Sequence, residues 1–231
     1  MRRALCCTAL LVAAACVPRV SVPEGERQRA ARELDGQRRF ARVALFVGQF
    51  YGDSSRLLVS DQPLDELDLL ETTDGKVISP PPADRVILPG TPLTIRAVEF
   101  PTGMLIAKRI VMTPRYHPWV YLTLEGEPRP LVFVLPQTLT SAEAVRVAVE
   151  RVLATTDVGA EFQGLPAVQR TAIARKDLVE GMAPSAVEMA WGYPEKELID
   201  RPARTEEWTW PGGRRKGFFR DGKLVRWLQP R

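Results

Sequence analysis

The chain has 231 residues, a formal net charge of +4, three cysteines and a single histidine. Hydrophobic residues make up 45% of it and charged residues 26%, which is typical of a folded globular protein and not of a disordered chain. The longest basic cluster near the C-terminus is the short "RRK" at 214–216, so the sequence does not indicate a nucleic-acid partner.

The first sixteen residues, "MRRALCCTALLVAAAC", have the layout of a secretory signal. Arg2 and Arg3 form a positive start, and residues 4–12 form an apolar run shorter than the ~20 residues that span a bilayer. The ending "LVAAAC" resembles the bacterial lipobox. This resemblance implies cleavage before Cys16 and attachment of diacylglycerol to its sulfur, so that membrane lipid is a partner. An ordinary cleaved secretory signal is the alternative.

The cysteine count agrees with a lipid anchor. Cys6 and Cys7 would leave with the signal peptide, residues 1–15, and the remaining chain would keep Cys16 alone and no internal disulfide. Loss of the two N-terminal arginines would lower the formal charge to about +2. Val17 stands where an aspartate would imply retention in the inner membrane under the usual enterobacterial sorting rule. We therefore predict a protein that is anchored in the outer membrane and faces the periplasm.

Residues 16–41 are polar, charged and interrupted by prolines, and they predict a lipidated tether with a short helix at 26–34. In residues 42–136, short runs rich in β-branched and aromatic residues alternate with turn sequences, which predicts a β-rich domain folded as an antiparallel barrel or sandwich. The predicted strands are "VALFVGQF", "RLLVS", "KVIS", "RVIL", "PLTIRAVEF", "MLIAKRIVM", "WVYLTL" and "PLVFVL". Residues 137–163 predict an amphipathic helix, over 140–156, and a linker.

Residues 164–231 predict two helices followed by three strands. Gly181 suits the turn between the helices, Pro184 suits the first position of the second helix, and Gly192 suits its end. The second helix carries one apolar stripe, which consists of Met182, Ala186, Val187, Ala190 and Trp191. "TEEWTW", "RKGFFR" and "KLVRWL" are the predicted strands, and the "DG" at 221–222 predicts a tight hairpin between the last two.

These elements resemble the SmpA/OmlA (BamE-like) lipoprotein domain, which has a Gly-Met turn, a helix closed by G-x-P, an aromatic pair on its first strand and an F-x-(D/N)-G-x-(L/V) ending. The matching residues are Gly181, Met182, Val187, Gly192, Pro194, Trp208, Trp210, Phe219, Asp221, Gly222, Lys223 and Leu224. The resemblance covers about the last 65 residues. It implies an ααβββ fold and a non-enzymatic role, with the β-barrel assembly machinery of the outer membrane as a partner. About 120 residues separate this unit from the anchor, whereas the small family members place it close behind the lipid.

Few residues indicate chemistry. His117 is the only histidine, so histidines cannot cluster around a metal ion, and the chain has no G-x-S-x-G, P-loop or dinucleotide-binding motif. We predict no catalytic residue, no metal and no cofactor. The alternative is an envelope hydrolase with a site in the β domain, where His117 could join a Ser-His-Asp arrangement. The acidic stretch "DELDLLE" at 65–71 is interpreted as a solvated turn.

Aromatic residues are concentrated near the C-terminus, where four of the five tryptophans lie in the last 41 residues. A three-stranded sheet that helices cover on one side leaves its other face for the upstream domain or for a partner, and tryptophan is common at binding hot spots. The candidate partner-binding residues are therefore Trp208, Trp210, Phe218 and Trp227, with packing in the core or between domains as the alternative. The predicted function is non-enzymatic binding or scaffolding in envelope assembly, and a structural role in another envelope complex is the alternative.

Overall fold

A computed structural model describes residues 22–229, which form a mixed α+β fold with two sheets. Helices α1–α6 span Glu24–Leu34, Gly103–Lys108, Ala142–Glu150, Gly159–Gly164, Ala167–Ala174 and Pro184–Trp191. Strands β1–β8 form the larger sheet and span Arg38–Ala41, Leu45–Phe50, Asp53–Ser60, Arg85–Ile87, Pro92–Glu99, Trp119–Thr123, Leu131–Val134 and Leu153–Ala154. Strands β9–β12 form the smaller sheet and span Lys196–Asp200, Thr205–Thr209, Lys216–Arg220 and Lys223–Leu228. The predicted signal peptide and Cys16 lie outside the described residues.

The larger sheet has the strand order β4-β2-β3-β7-β6-β5-β1-β8. Strands β3 and β7 are parallel, with Leu58 opposite Val132, and the other neighbouring pairs in this sheet are antiparallel. The predicted antiparallel barrel is wrong, because the sheet stays open between its end strands. These two strands, β4 and β8, have three and two residues and do not pair with each other.

The side chains of the larger sheet alternate between two hydrophobic clusters, as the pleat of a strand requires. On β3, Leu57 and Val59 join the cluster that α1 and α3 cover, whereas Leu58 joins a second cluster with Phe50 and Trp119 on the opposite face. Helix α1 contributes fully buried residues to the first cluster, and β1 pairs with β5 and β8. The predicted tether at 16–41 therefore has to be corrected, since residues 24–41 belong largely to the folded body.

Two predicted strands of the β-rich region are also corrected. In the stretch "MLIAKRIVM", residues 103–108 form α2, and Arg109 then turns inward and bonds Glu99 with its Nη2 2.6 Å from Oε1. The stretch "KVIS" forms only an isolated bridge between Glu71 and Val77. Helix α3 lies within the predicted 140–156 helix but ends at Glu150, because the chain turns at once into β8. At its start, Ser141 Oγ accepts a hydrogen bond from the backbone N–H of Ala144 at 3.1 Å.

The C-terminal unit, residues 164–229, packs α5 and α6 on a four-stranded sheet with the order β12-β11-β10-β9. Three strands were predicted, and the additional one is β9, whose five residues are all exposed. Sequence patterns detect a strand by its buried face, and β9 has none. Gly181 and Gly192 have φ angles of +83° and +79°, which glycine adopts more readily than other residues.

The C-terminal unit is held against one end of the larger sheet. The backbone N–H of Ala44 donates to the carbonyl of Met189 at 2.7 Å, and Lys176 Nζ donates to the carbonyls of Ala44 and Asp61 at 2.7 and 2.9 Å. Val86 and Leu88, beside β2, pack into the core of the C-terminal unit. Helices α5 and α6 therefore lie on the inner face of the smaller sheet, and its outer face is turned to solvent. None of the helices within residues 22–229 combines the length and the apolar character needed to cross a membrane.

Candidate protein-binding surface

Two of the four candidate partner-binding residues lie in the core of the C-terminal unit. Trp208 and Trp210 are 3% and 1% exposed. The indole N–H of Trp208 donates to Glu206 Oε2 at 3.0 Å, and that of Trp210 donates to the carbonyl of Gly192 at 2.9 Å. The Trp210 ring also meets the Trp191 ring edge to face, with 5.1 Å between the ring centres. The prediction that Trp208 and Trp210 face a partner is therefore wrong, and the alternative of core packing describes them.

The other two candidates lie on opposite faces of the smaller sheet. Trp227 is paired with Gly217, so it shares the inner face with the buried tryptophans and packs half-buried at the rim of their core. Phe218 is paired with Glu207 on β10 and with Arg226 on β12, on the outer face. Phe218 is thus the one residue of the four candidates that lies on the outer face of the sheet, where it is half-buried.

Phe218 lies in a shallow groove on the outer face, which we call the outer-face groove. The groove has a volume of about 590 Å³, and Leu198, Phe218, Val225 and Arg226 are among the residues that line it. Leu198 and Val225, on β9 and β12 at the two edges of this sheet, line opposite sides of the groove and are 51% and 44% exposed. The groove contains Val225 because the register shifts between Phe218 and Phe219, which makes Val225 an extra residue in β12.

Both acidic and basic residues line the outer-face groove, namely Asp200, Glu206 and Glu207 together with Arg220 and Arg226. The Arg226 guanidinium lies 4.1 Å from the centre of the Phe218 ring, within the range of a cation–π contact. Lys216 Nζ lies 2.7 Å from Glu207 Oε1 and neutralises that carboxylate. Arg220 and Arg226 take part in no ion pair within residues 22–229. The groove therefore combines an apolar floor with two arginines that can receive a carboxylate, while Asp200 adds a negative charge to its lining.

His117 has structural contacts. Its ring is buried, with Nδ1 2.9 Å from the carbonyl oxygen of Leu135, and burial lowers the pKa of the imidazole. His117 lines a cleft of about 480 Å³ between the larger sheet and the C-terminal unit, together with Asp61 and Gln137. In the part of the chain that is described, no hydroxyl or thiol group forms a hydrogen bond with His117. The imidazole therefore lacks the nucleophile contact that a triad needs.

The acidic residues form no metal-binding cluster in the described ranges, where no group of three or more His, Cys, Asp and Glu side chains is arranged to hold an ion. The stretch at 65–71 is anchored by Leu64 and Leu67, which are buried against the larger sheet. Asp65 and Asp68 are exposed beside them, as expected of a solvated turn.

Sequence reasoning missed β9 and, with it, Leu198 and Ile199. The only signals were the prolines at 194 and 202, which bracket a short segment that contains two aliphatic residues. Val225 and Arg226 lay in a predicted strand, but their position at the groove depends on the register shift in β12.

Comparison with known proteins identifies no relative of this chain. No family model matches its sequence. No curated protein and no solved structure matches it either.

Proposed function

We propose that the protein is a lipid-anchored, non-enzymatic binding or scaffold component of the bacterial outer membrane. In this proposal Cys16 carries the lipid, the folded body faces the periplasm, and the C-terminal unit is a BamE-like module extended by β9. The observation that supports a binding role is the outer-face groove, where the half-buried Phe218 lies between the exposed Leu198 and Val225 and beside the guanidinium of Arg226, which takes part in no ion pair within residues 22–229. An apolar surface of this kind on a folded body is typical of a protein interface.

The proposed partner is a protein of the β-barrel assembly machinery. Its docking segment would place an apolar side chain against Phe218 and a carboxylate beside Arg226 or Arg220. Aromatic residues next to arginine are the usual centres of binding energy in protein interfaces. The two arginines would also favour association with an acidic segment through their charge.

Co-purification from detergent-solubilised membranes tests this function, with the barrel-assembly subunits detected by immunoblot. Phe218→Ala and Arg226→Glu are each expected to reduce the retained subunits at least tenfold, because loss of a hot-spot residue costs about 2 kcal/mol of binding free energy. Val168→Ala is the matched control, since Val168 is 62% exposed but lies on α5, on the other side of the sheet. Circular dichroism checks that each variant is folded.

Two results would contradict the proposal. Either the wild-type protein retains none of the barrel-assembly subunits, or Phe218→Ala and Val168→Ala retain them equally well. If another envelope protein is retained instead and depends on Phe218, the groove binds a partner but the assembly role is wrong.

Fractionation of cells tests the anchor separately. Cys16→Ala is expected to move the protein from the membrane fraction to the soluble periplasmic fraction, because in this proposal Cys6 and Cys7 leave with the signal peptide and Cys16 alone carries the diacylglycerol. A variant that still sediments with the membranes would show that Cys16 does not carry the anchor.

A further inference from the structure

Strand β9 is the free edge of the smaller sheet. It pairs with β10 on one side, and all five of its residues are exposed. At the opposite edge of this sheet, Leu224 of β12 exchanges backbone hydrogen bonds with Gly181 and Met182, at 2.8 Å each. In the larger sheet the end strands have only two or three residues. The edge of β9 is therefore the longest uncovered edge among the described residues, and such an edge can receive a further strand.

The charged residues of β9 and its flanks are arranged so that two copies of this segment, running antiparallel, place opposite charges next to each other. When a second strand runs antiparallel with Leu198 opposite Leu198, Lys196 lies opposite Asp200 of the second copy. The same register places Glu195 opposite Arg201 of the second copy. Residues directly opposite each other in an antiparallel ladder have their side chains on the same face of the sheet. In each of these pairs the two residue numbers differ by an even count, so within each copy both side chains lie on the same face of the smaller sheet. A two-fold axis repeats each pair, so that four oppositely charged pairs are formed.

Other registers that keep the faces matched are less favourable. If the second strand is shifted by two residues in one direction, Glu197 lies opposite Glu197 of the second copy. Like charges directly opposite each other destabilise a sheet. A slide in the other direction removes Asp200 from Lys196 and places it opposite Leu198. Neither Lys196 nor Asp200 takes part in an ion pair within residues 22–229. Asp200 Oδ1 accepts a hydrogen bond from the backbone N–H of Ala203 at 3.0 Å, which leaves its Oδ2 for the Lys196 ammonium of a second copy.

We propose that two copies of this chain pair through β9, antiparallel and about a two-fold axis at Leu198, so that their two four-stranded sheets form one eight-stranded sheet. The backbone groups at the free edge supply the hydrogen bonds between the copies. The charged pairs set the register, because exposed ion pairs contribute more to specificity than to affinity. This pairing adds to the proposed binding function and does not depend on the partner of Phe218.

Disulfide trapping in bacterial membranes tests the pairing with the full chain. Leu198→Cys is expected to give a covalent dimer on mild oxidation, because opposite Cα atoms in an antiparallel pair are about 4.5–5.5 Å apart, which a disulfide can bridge. Val225→Cys is the matched control, since Val225 is similarly exposed on the same sheet but lies on β12, away from the proposed axis. The wild-type chain provides the background from Cys6, Cys7 and Cys16.

Charge reversal in the Leu198→Cys background tests the register. Lys196→Asp and Asp200→Lys are each expected to reduce the dimer yield severalfold, because each puts like charges opposite one another. The double variant restores the opposite charges and is expected to return the yield to that of Leu198→Cys alone. Phe218→Ala in the same background is expected to leave the yield unchanged, which separates the pairing from the function proposed for the groove.

Three outcomes would overturn the pairing. Leu198→Cys and Val225→Cys could give the same dimer yield, or the double charge variant could dimerise no better than either single variant. The main covalent product could also have the mass of an adduct with a different protein. Because Leu198, Lys196 and Asp200 are all exposed, these substitutions leave the core intact, and tryptophan fluorescence confirms that the variants are folded.

Discussion

Lys176 lies at the junction between the larger sheet and the C-terminal unit, and its ionisation should be visible in the stability of the protein. The residue is 3% exposed, and its Nζ lies 4.9 Å from the centre of the Phe46 ring. Its hydrogen bonds go to the carbonyl oxygens of Ala44 and Asp61. Burial lowers the pKa of Lys176 to about 7, and Arg215 acts in the same direction while Asp61 opposes it. The folded protein therefore favours the neutral amine.

The sign of the pH dependence follows from this lowered pKa. An unfolded lysine has a pKa of about 10.4, so between pH 7 and pH 10 the unfolded chain binds a proton that the folded chain does not. The free energy of unfolding then rises with pH over this window, and well below pH 7 the contribution no longer changes because both states are protonated. With these two pKa values, the rise between pH 7 and pH 9 is about 2 kcal/mol.

Urea denaturation at pH 7, 8 and 9 measures this effect, with tryptophan fluorescence as the signal. Trp191 is a suitable reporter, because it is buried and its indole N–H donates to the backbone carbonyl of Lys176 at 3.0 Å. Lys176→Met is expected to lack the rise of about 2 kcal/mol that the wild type shows. Lys223→Met, at an exposed position in the same unit, should follow the wild type. If the free energy of unfolding of the wild type and of Lys176→Met changed with pH in the same way, the lowered pKa of Lys176 at this junction would be refuted.

The remaining predictions concern backbone geometry, a helix cap and the histidine. Gly192→Ala should lower the free energy of unfolding by more than about 3 kcal/mol in urea denaturation, because the added Cβ would lie 2.6 Å from Asp61 Oδ2 and a φ of +79° is strained for alanine. Gly181→Ala has open space at its Cβ, so in the same assay it should cost only about 1 kcal/mol. Ser141→Ala should cost about 1 kcal/mol in the same assay by removing the N-cap of α3, and an unchanged value would contradict the capping bond. The ring protons of His117 should titrate in NMR spectra below the ordinary pKa of 6.5, and a midpoint at or above 6.5 would contradict its burial.

The ends of α6 could be predicted from the sequence because they depend on single residues. Pro184 is the first residue of the helix, and Gly192 follows its last residue with a positive φ. Asp221 and Gly222 likewise adopt the positive φ angles of a tight turn between β11 and β12. Such preferences belong to the residues themselves, so they act in the same way whatever packs around them.

The elements that were missed depend on distant contacts. Strand β9 is defined only by its hydrogen bonds to β10, since none of its side chains is buried. The parallel pairing of β3 and β7 joins segments about 70 residues apart, and no local pattern specifies it. The same holds for the candidate site. Alternation correctly places Trp208 and Trp210 on one face, but which face is buried depends on where α5 and α6 pack.

The junction also determines how the C-terminal unit can work. A module that served as a separable docking plate would keep its own core when cut away from the preceding domain. Here the core of the unit includes Ala44 and the half-buried Val86 from the larger sheet, and the Lys176 amine has its two acceptors there. Separation would leave this amine without partners, and an unpaired buried polar group is costly. The outer-face groove and the edge of β9 are therefore held in a fixed orientation to the larger sheet, so that a partner bound at either one is positioned relative to the whole folded body.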